Sequence, residues 1–422
     1  MQLTREERAW LDGRAGEATR FALDLVVRMG ELFGAERLLP VTQAHIDACL
    51  YTNDAGLEFA ERLAALGGRV RVPATLNVTA RDIRRWEAFR VPADWAEKSR
   101  RLEAAYQALG CLPTWTCAPY ELIEEGLVPR FGEQVAWGES NAVAYVNTVI
   151  GARTNRYADF LDVACALTGR APAFGLHLDA PRRGQVLVDL REISAALRGH
   201  PSFYPVLGYH VGTVAGERVP VLDGIPPSVR AVDLKAFCAA GASSGALALA
   251  HVVGVTPEAP TREAALQGAR PEETVVVTLG ELCRTRARLS YAPAEGVDLV
   301  KLGCPHLSLA EAVVVAERVA GRRVRAGVEF WVSTSRAVAH RLGESGHLPA
   351  LEAAGVRLLT DTCAMTTRID AWGFTHMLTN SGKQAHYAAA SGLEVTLAAL
   401  DDCVAYALGD GAAGEEDALW AE

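Results

Sequence analysis

The sequence predicts an α/β fold of layered, largely parallel sheets with flanking helices. Strand-like runs alternate with amphipathic helical stretches in the first third of the chain, and the last third repeats the alternation. At 422 residues, half of them apolar and 22% charged, the chain suits one large α/β body or two to three ordinary domains. No repeat of solenoid period and no low-complexity tract interrupts it.

Taken in order, residues 6–33 read as one or two helices, with Leu11, Leu23, Val26 and Met29 on the apolar face. Residues 37–42 form a strand, and 43–51 a polar loop or helix start. Residues 54–66 are a helix with Asp54 as N-cap and Gly67-Gly68 as its stop. A strand over 69–72 leads into Pro73-Ala74-Thr75-Leu76-Asn77, and a helix over 94–109 stops at Gly110. Residues 112–116 are strand-like, 157–167 helical, 174–178 and 185–188 strands, and 190–197 helical. Residues 201–227, rich in Gly and Pro with a strand-like 215–222, suggest a lobe or insertion. A helix over 231–240 and a buried strand over 247–255 precede 256–273, the most linker-like segment. Strands then fall at 274–279, 297–302, 324–332 and 356–359, with helices at 309–319 and 335–342. The expected organisation is one catalytic body over 1–410, with sub-lobes at about 1–200 and 275–410 and residues 201–273 between them. A small, acidic stretch over 411–422 is expected to fray.

The bulk numbers exclude several functions. A net charge of −9 with no long basic block argues against a nucleic-acid partner. The longest apolar runs, such as 142–150, contain Asn or Thr and are too short to span a bilayer, so no membrane partner is expected. The start of the chain lacks a signal-peptide core, and a cytoplasmic location is expected. Nine widely spaced cysteines in such a chain are not expected to form disulfides.

Chemistry-bearing residues concentrate between Thr114 and Arg156. There Thr-Trp-Thr-Cys-Ala-Pro-Tyr (114–120), Trp-Gly-Glu-Ser-Asn-Ala (137–142) and Gly-Ala-Arg-Thr-Asn-Arg (151–156) place a thiol, a carboxylate, amides and guanidinium groups close together. Burying that mixture is costly unless its members bond each other, a metal or a ligand. Three cysteines share a position: Cys117, Cys304 and Cys363 each follow a strand-like run. Ligands of parallel α/β sheets sit beyond strand carboxyl ends, so three such thiols could converge. They would suit zinc or an iron–sulfur cluster, or else be three core cysteines. Cys49 lies in Ala-His-Ile-Asp-Ala-Cys-Leu-Tyr (44–51), among other reactive types.

These stretches, together with Gly303-Cys304-Pro305-His306, Asp361-Thr362-Cys363 and Thr379-Asn380-Ser381-Gly382-Lys383, resemble the aconitase X family from about residue 4 to about residue 405. The resemblance implies an aconitase-like catalytic body and a dehydratase whose iron–sulfur cluster is held by Cys117, Cys304 and Cys363. It also implies a separate small swivelling subunit and a small-molecule hydroxy-acid substrate. Within the family the substrate is cis-3-hydroxy-L-proline or mevalonate 5-phosphate. A phosphate would favour small residues with open backbone N–H groups, whereas this segment carries His45 and Asp47. Asp47 suits a secondary ammonium, which favours hydroxyproline, with mevalonate 5-phosphate as the alternative. An alternative from another class is a non-catalytic or zinc-binding α/β protein.

The expected substrate-binding residues are His45, Asp47, Ala48, Cys49, Asn77, Glu139, Ser140, Arg153 and Lys383, with Ser381 and Lys383 catalytic. Several have plainer readings: Asp47 as a helix cap or surface acid, Glu139 and Ser140 as helix caps, Asn77 as a turn former, and Arg153 and Arg156 as partners of Asp159 and Asp162. His306 and His386 are expected to support the site by hydrogen bonds rather than act as acids or bases.

Overall fold

The computed structural model describes residues 1–292, 295–364, 366–367, 369–410 and 418–421, with only the backbone of Asp370. The chain forms two compact units, Met1–Arg183 and Gly184–Glu422. Residues 201–273, expected to stand between two lobes, belong to the second unit.

The first unit holds β1 (Leu38–Pro40), β2 (Ala44–Ile46), β3 (Ala74–Leu76), β4 (Ala136–Trp137) and β5 (Arg170–Pro172). Strands β3, β2 and β4 make a parallel sheet in that order, while β1 and β5 pair antiparallel. Leu23, Val26, Ile46, Leu63, Leu76, Tyr106 and Val163 unite the sheet with its flanking helices in one apolar core. Residues 43–51, expected as a loop or helix start, contain the central strand. Its three residues are buried, and a strand this short, carrying a His, shows no period for a sequence to reveal. The strand expected at 69–72 lies instead at 74–76. Val70 and Arg71 bond singly to the carbonyls of Leu109 and Ala166 and join no ladder. The N-cap of the Asp54–Ala65 helix is Asn53, whose side chain accepts from Gly56 N at 3.2 Å. Asp54 instead accepts from Tyr51 and Lys98. Residues 174–178 make a 3-10 turn, Gly175–His177, rather than a strand.

The second unit contains two parallel sheets. One runs β8 (His251–Val252), β7 (Pro220–Asp223), β6 (Val186–Asp189), β9 (Glu273–Val276). The other runs β12 (Val356–Thr360), β11 (Glu329–Thr334), β10 (Leu299–Leu307), β13 (His376–Thr379), β14 (Glu394–Leu397). The supposed Gly/Pro-rich lobe is largely a helix, Phe203–Ala215, packed against the helix Ala231–Ser244. Its glycines serve close approach: a Cβ on Gly208 would lie 2.2 Å from Phe237 O, and one on Gly212 2.4 Å from Gly241 O. Only Ala195–Arg198 of the helix expected over 190–197 forms, and the strand expected over 247–255 shrinks to β8. The linker-like stretch includes a short helix, Arg262–Ala265.

Of the stretch expected to fray, 411–417 and 422 lie outside the described residues. Trp420 is buried, and its Nε1 donates to Ser202 Oγ at 3.2 Å. Among the described residues no helix is long and apolar enough to cross a membrane.

Candidate functional site

In the first unit the three parallel strands deliver their next residues to one edge. Asp47 follows β2, Asn77 follows β3, and Glu139 follows β4 after one glycine. Asn77 Nδ2 donates to Asp47 Oδ1 and, at 3.1 Å, to Glu139 Oε2. Gly138 allows this convergence, because a Cβ there would sit 2.9 Å from both Asp47 Cβ and Asp162 Oδ2.

Asp162, in the first turn of the Leu161–Thr168 helix, completes the group. Its Oδ2 accepts from the backbone N–H of Asp47 at 2.6 Å and of Ala48 at 3.4 Å, and its Oδ1 accepts from Val163 N at 2.6 Å. Burial, together with Glu139, Asp159 and Asp162, holds the Asp47 carboxyl well above the usual range. Burial pushes Asp162 up to about 7 despite the N–H bonds that pull it down.

Glu139 caps the Ser140–Tyr145 helix. Its Oε1 accepts from Asn141 N, Asn141 Nδ2 and Ser140 Oγ at 3.2, 2.7 and 3.2 Å. Asn141 Nδ2 also donates to Cys117 O at 3.2 Å, and Tyr120 Oη donates to Asn141 Oδ1 at 2.9 Å. One amide thereby links the Cys117 backbone to the carboxylate group. The run before Cys117, expected as a strand, makes one isolated bridge, Thr75 with Leu112.

The other expected residues of this unit have their own side-chain partners or contribute backbone alone. His45 lies inside β2 with Nδ1 2.8 Å from Thr75 Oγ1, and burial takes its pKa down to about 3, so the ring is neutral. Cys49 donates to the carbonyls of Ile46 and Asn77 at 3.3 and 3.4 Å, and burial raises its thiol well above the usual value. Ala48 contributes its N–H alone. Arg153 pairs with Asp179 at 2.5 Å, not with Asp159 or Asp162, and Arg156 is exposed.

In the second unit Cys304 lies within β10, where the pairing with β11 shifts register between Leu302 and Leu307. Gly303 beside it has φ +91°, and a Cβ there would meet Ser333 O at 2.1 Å. Cys363 follows β12, and Ser381 and Lys383 follow β13. Ser381 Oγ donates to Cys304 O and accepts from Gln384 N at 3.1 Å, capping the Gly382–Ala390 helix. Burial lifts the Cys304 thiol to about 11, Lys383 pulls it down, and Cys363 pushes it up. Both neighbours therefore lie within electrostatic reach of it.

Lys235 braces this arrangement, as its Nζ donates to His306 O and Glu311 Oε2, both at 2.7 Å. The His306 ring donates from Nε2 to Thr362 O at 2.9 Å, joining the two cysteine-bearing segments. His386 bonds Tyr209 at 3.0 Å. Cys304, Pro305, Asn380, Ser381 and Lys235 line a cavity of about 530 Å³. Within this unit Cys304 and Cys363 are soft donors that neighbour one another. Among the described residues no group of three or more His, Cys, Asp or Glu side chains is arranged to hold a metal ion.

Sequence reasoning missed Asp162 and Lys235. The only signal for each was a charged residue within an otherwise apolar helical run, Leu161-Asp162-Val163-Ala164 and Leu234-Lys235-Ala236-Phe237.

Comparison with known proteins adds the family. Models of the aconitase X first, second and third domains match residues 1–180, 184–287 and 297–409. A relative from Pseudomonas aeruginosa named cis-3-hydroxy-L-proline dehydratase is 44% identical over 96% of this chain and 69% of its own length. One from Methanothermobacter thermautotrophicus named phosphomevalonate dehydratase large subunit is 38% identical over 91% of this chain and 93% of its own length. The crystal structure of Thermococcus kodakaraensis aconitase X in its holo-form superposes with a TM-score of 0.86 at 33% identity, covering 96% of this chain and all of that one. With three successive domain models in register and relatives matched along most of their length, the chain belongs to the aconitase X family.

Proposed function

We propose that this chain is the large subunit of a hydro-lyase acting on cis-3-hydroxy-L-proline. Loss of the C3 hydroxyl and the Cα proton gives an enamine that tautomerises to Δ1-pyrroline-2-carboxylate. The observation that carries the substrate is the Asp47–Asn77–Glu139 group, whose carboxylate oxygens suit a ring ammonium and repel a phosphate. The 44% identity to a relative named for that activity supports it.

The proposal assigns an iron–sulfur cluster to Cys117, Cys304 and Cys363. The pair Cys304 and Cys363 fits such a group, being half-buried thiols close to one another with Lys383 favouring the thiolate. When bound, an iron with an open position acts as a Lewis acid that eases departure of the hydroxyl. In this scheme Lys383 binds the substrate carboxylate and Glu139 and Asp47 bind the ammonium. Ser381 fixes the Cys304 segment through its carbonyl.

A separate small subunit is proposed as partner, supported by the match along 93% of a relative named a large subunit. That relative also supports the second reading, mevalonate 5-phosphate as substrate. The test is an iron and sulfide assay on anaerobically purified protein, followed by turnover of each substrate with the co-expressed small chain. Turnover of hydroxyproline alone supports the first reading. Turnover of the phosphate ester alone replaces it, and an iron-free protein with bound zinc ends the cluster proposal.

A further inference from the structure

The proposed function rests on Asp47 and its neighbours, but the geometry of the β2 end depends on a residue outside that set. The loop after a parallel strand presents backbone N–H groups, which ordinarily attract anions. Here the N–H groups of Asp47 and Ala48 point to the Asp162 carboxylate, at 2.6 and 3.4 Å. Asp162 is fully buried, and Gly138 leaves the room it needs against Asp47. An internal carboxylate thus occupies the position that a bound anion would take.

We propose that Asp162 determines specificity, converting the β2 end from an anion-accepting to a cation-accepting surface. With both N–H groups taken, acceptors gather at this edge: the carboxyl oxygens of Asp47 and Glu139, and Asn77 Oδ1. That amide oxygen is buried, with Asn77 1% exposed, and it has no hydrogen-bond partner although its own Nδ2 holds both carboxylates. A buried acceptor of this kind is costly unless a donor reaches it. The two N–H donors of a secondary ammonium match an acceptor set that includes Asn77 Oδ1. A phosphate oxygen would meet the carboxyl oxygens of Asp47 and Glu139 instead of the two N–H donors that Asp162 occupies.

This inference deepens the hydroxyproline reading and rests on it. The test measures binding of L-proline and of mevalonate 5-phosphate to the purified full chain by calorimetry, for wild type, Asp162→Ala and Asp162→Asn. Wild-type binding tests the underlying reading: preference for proline supports it, and preference for the phosphate ester overturns it whatever the variants do. The variants test Asp162 itself.

Asp162→Ala frees both N–H groups, so proline binding weakens at least about tenfold and the phosphate ester gains at least as much. Asp162→Asn keeps an acceptor for the two N–H groups but removes the charge. It is expected to keep the fold, weaken proline binding, and still reject the phosphate ester. A purely structural Asp162 would leave the ratio of the two affinities unchanged in either folded variant, and that result overturns the proposal. If Asp162→Ala does not fold, an unchanged ratio in Asp162→Asn is sufficient to overturn it.

Discussion

Ser381 donates its hydroxyl proton to the backbone carbonyl of Cys304, so the residue that starts the Gly382–Ala390 helix also anchors the cysteine inside β10. The same oxygen accepts from Gln384 N. Ser381→Ala removes both bonds and leaves a partly buried carbonyl short of a donor. A stability loss of about 1–3 kcal/mol is expected in denaturant titration. Iron content after anaerobic reconstitution should fall with it, and unchanged iron retention would separate the helix cap from the cysteine.

Cys304→Ser and Cys363→Ser should each reduce bound iron severely while leaving far-ultraviolet circular dichroism unchanged, since both thiols are only half buried. Cys49→Ala is the control. Its thiol is committed to the Ile46 and Asn77 carbonyls, so iron content should match wild type while stability drops by about 1 kcal/mol.

Asp47→Asn retains the side-chain volume but removes the carboxyl group that is proposed to bind the ammonium. KM for cis-3-hydroxy-L-proline should rise about tenfold, the scale of one charge-assisted hydrogen bond. An unchanged KM in steady-state assays would remove Asp47 from the binding site.

The raised Asp162 carboxyl predicts a pH signature in stability. Its folded-state pKa of about 7 lies above the ordinary value of 3.8, so its contribution is complete below about pH 4 and lost as pH rises through 7. The loss is on the order of 4 kcal/mol at most, about 1.4 per pKa unit. Asp162→Asn escapes it. The melting temperature of the variant relative to wild type should therefore climb between pH 5 and pH 8, and a constant difference would contradict the assignment.

Arg153 is held by Asp179, which is largely exposed, and by no member of the carboxylate group. Arg153→Ala should cost no more than about 1 kcal/mol of stability and leave KM within about twofold. A large KM effect in the same assay would return Arg153 to the substrate.

The sequence showed Cys304, Ser381 and Lys383 because each sits where an apolar run meets Gly, Pro or Asn, and Cys363 because it follows the strand-like run 356–362. Asn77 and Glu139 were visible for the same reason as Cys304, and Asp47 because it shares 44–51 with His45 and Cys49, although β2 itself was not. Asp162 was hidden because it lies near Asp159 and reads as one more charge at the start of an apolar helical run; only the tertiary fold buries one and not the other. The Phe203–Ala215 helix was missed because Gly and Pro signal breaks locally. Here Pro205 sits in the first turn, where its missing N–H costs nothing, and the glycines face a neighbouring helix. The alternative reading of Arg153 as an ion-pair partner named Asp159 and Asp162, which are near in sequence, whereas its partner Asp179 is near only in space.

The Lys235 brace bears on how the second unit holds together. Lys235 lies in the stretch matched by the second family domain, and its acceptors His306 and Glu311 lie in the third. The lysine is 4% exposed, so parting the two domains would break both of its charge-assisted hydrogen bonds at once. Residues 184–409 are therefore expected to melt as one cooperative block despite comprising two evolutionary modules, and amide exchange in the Ala231–Ser244 helix should track that of β10.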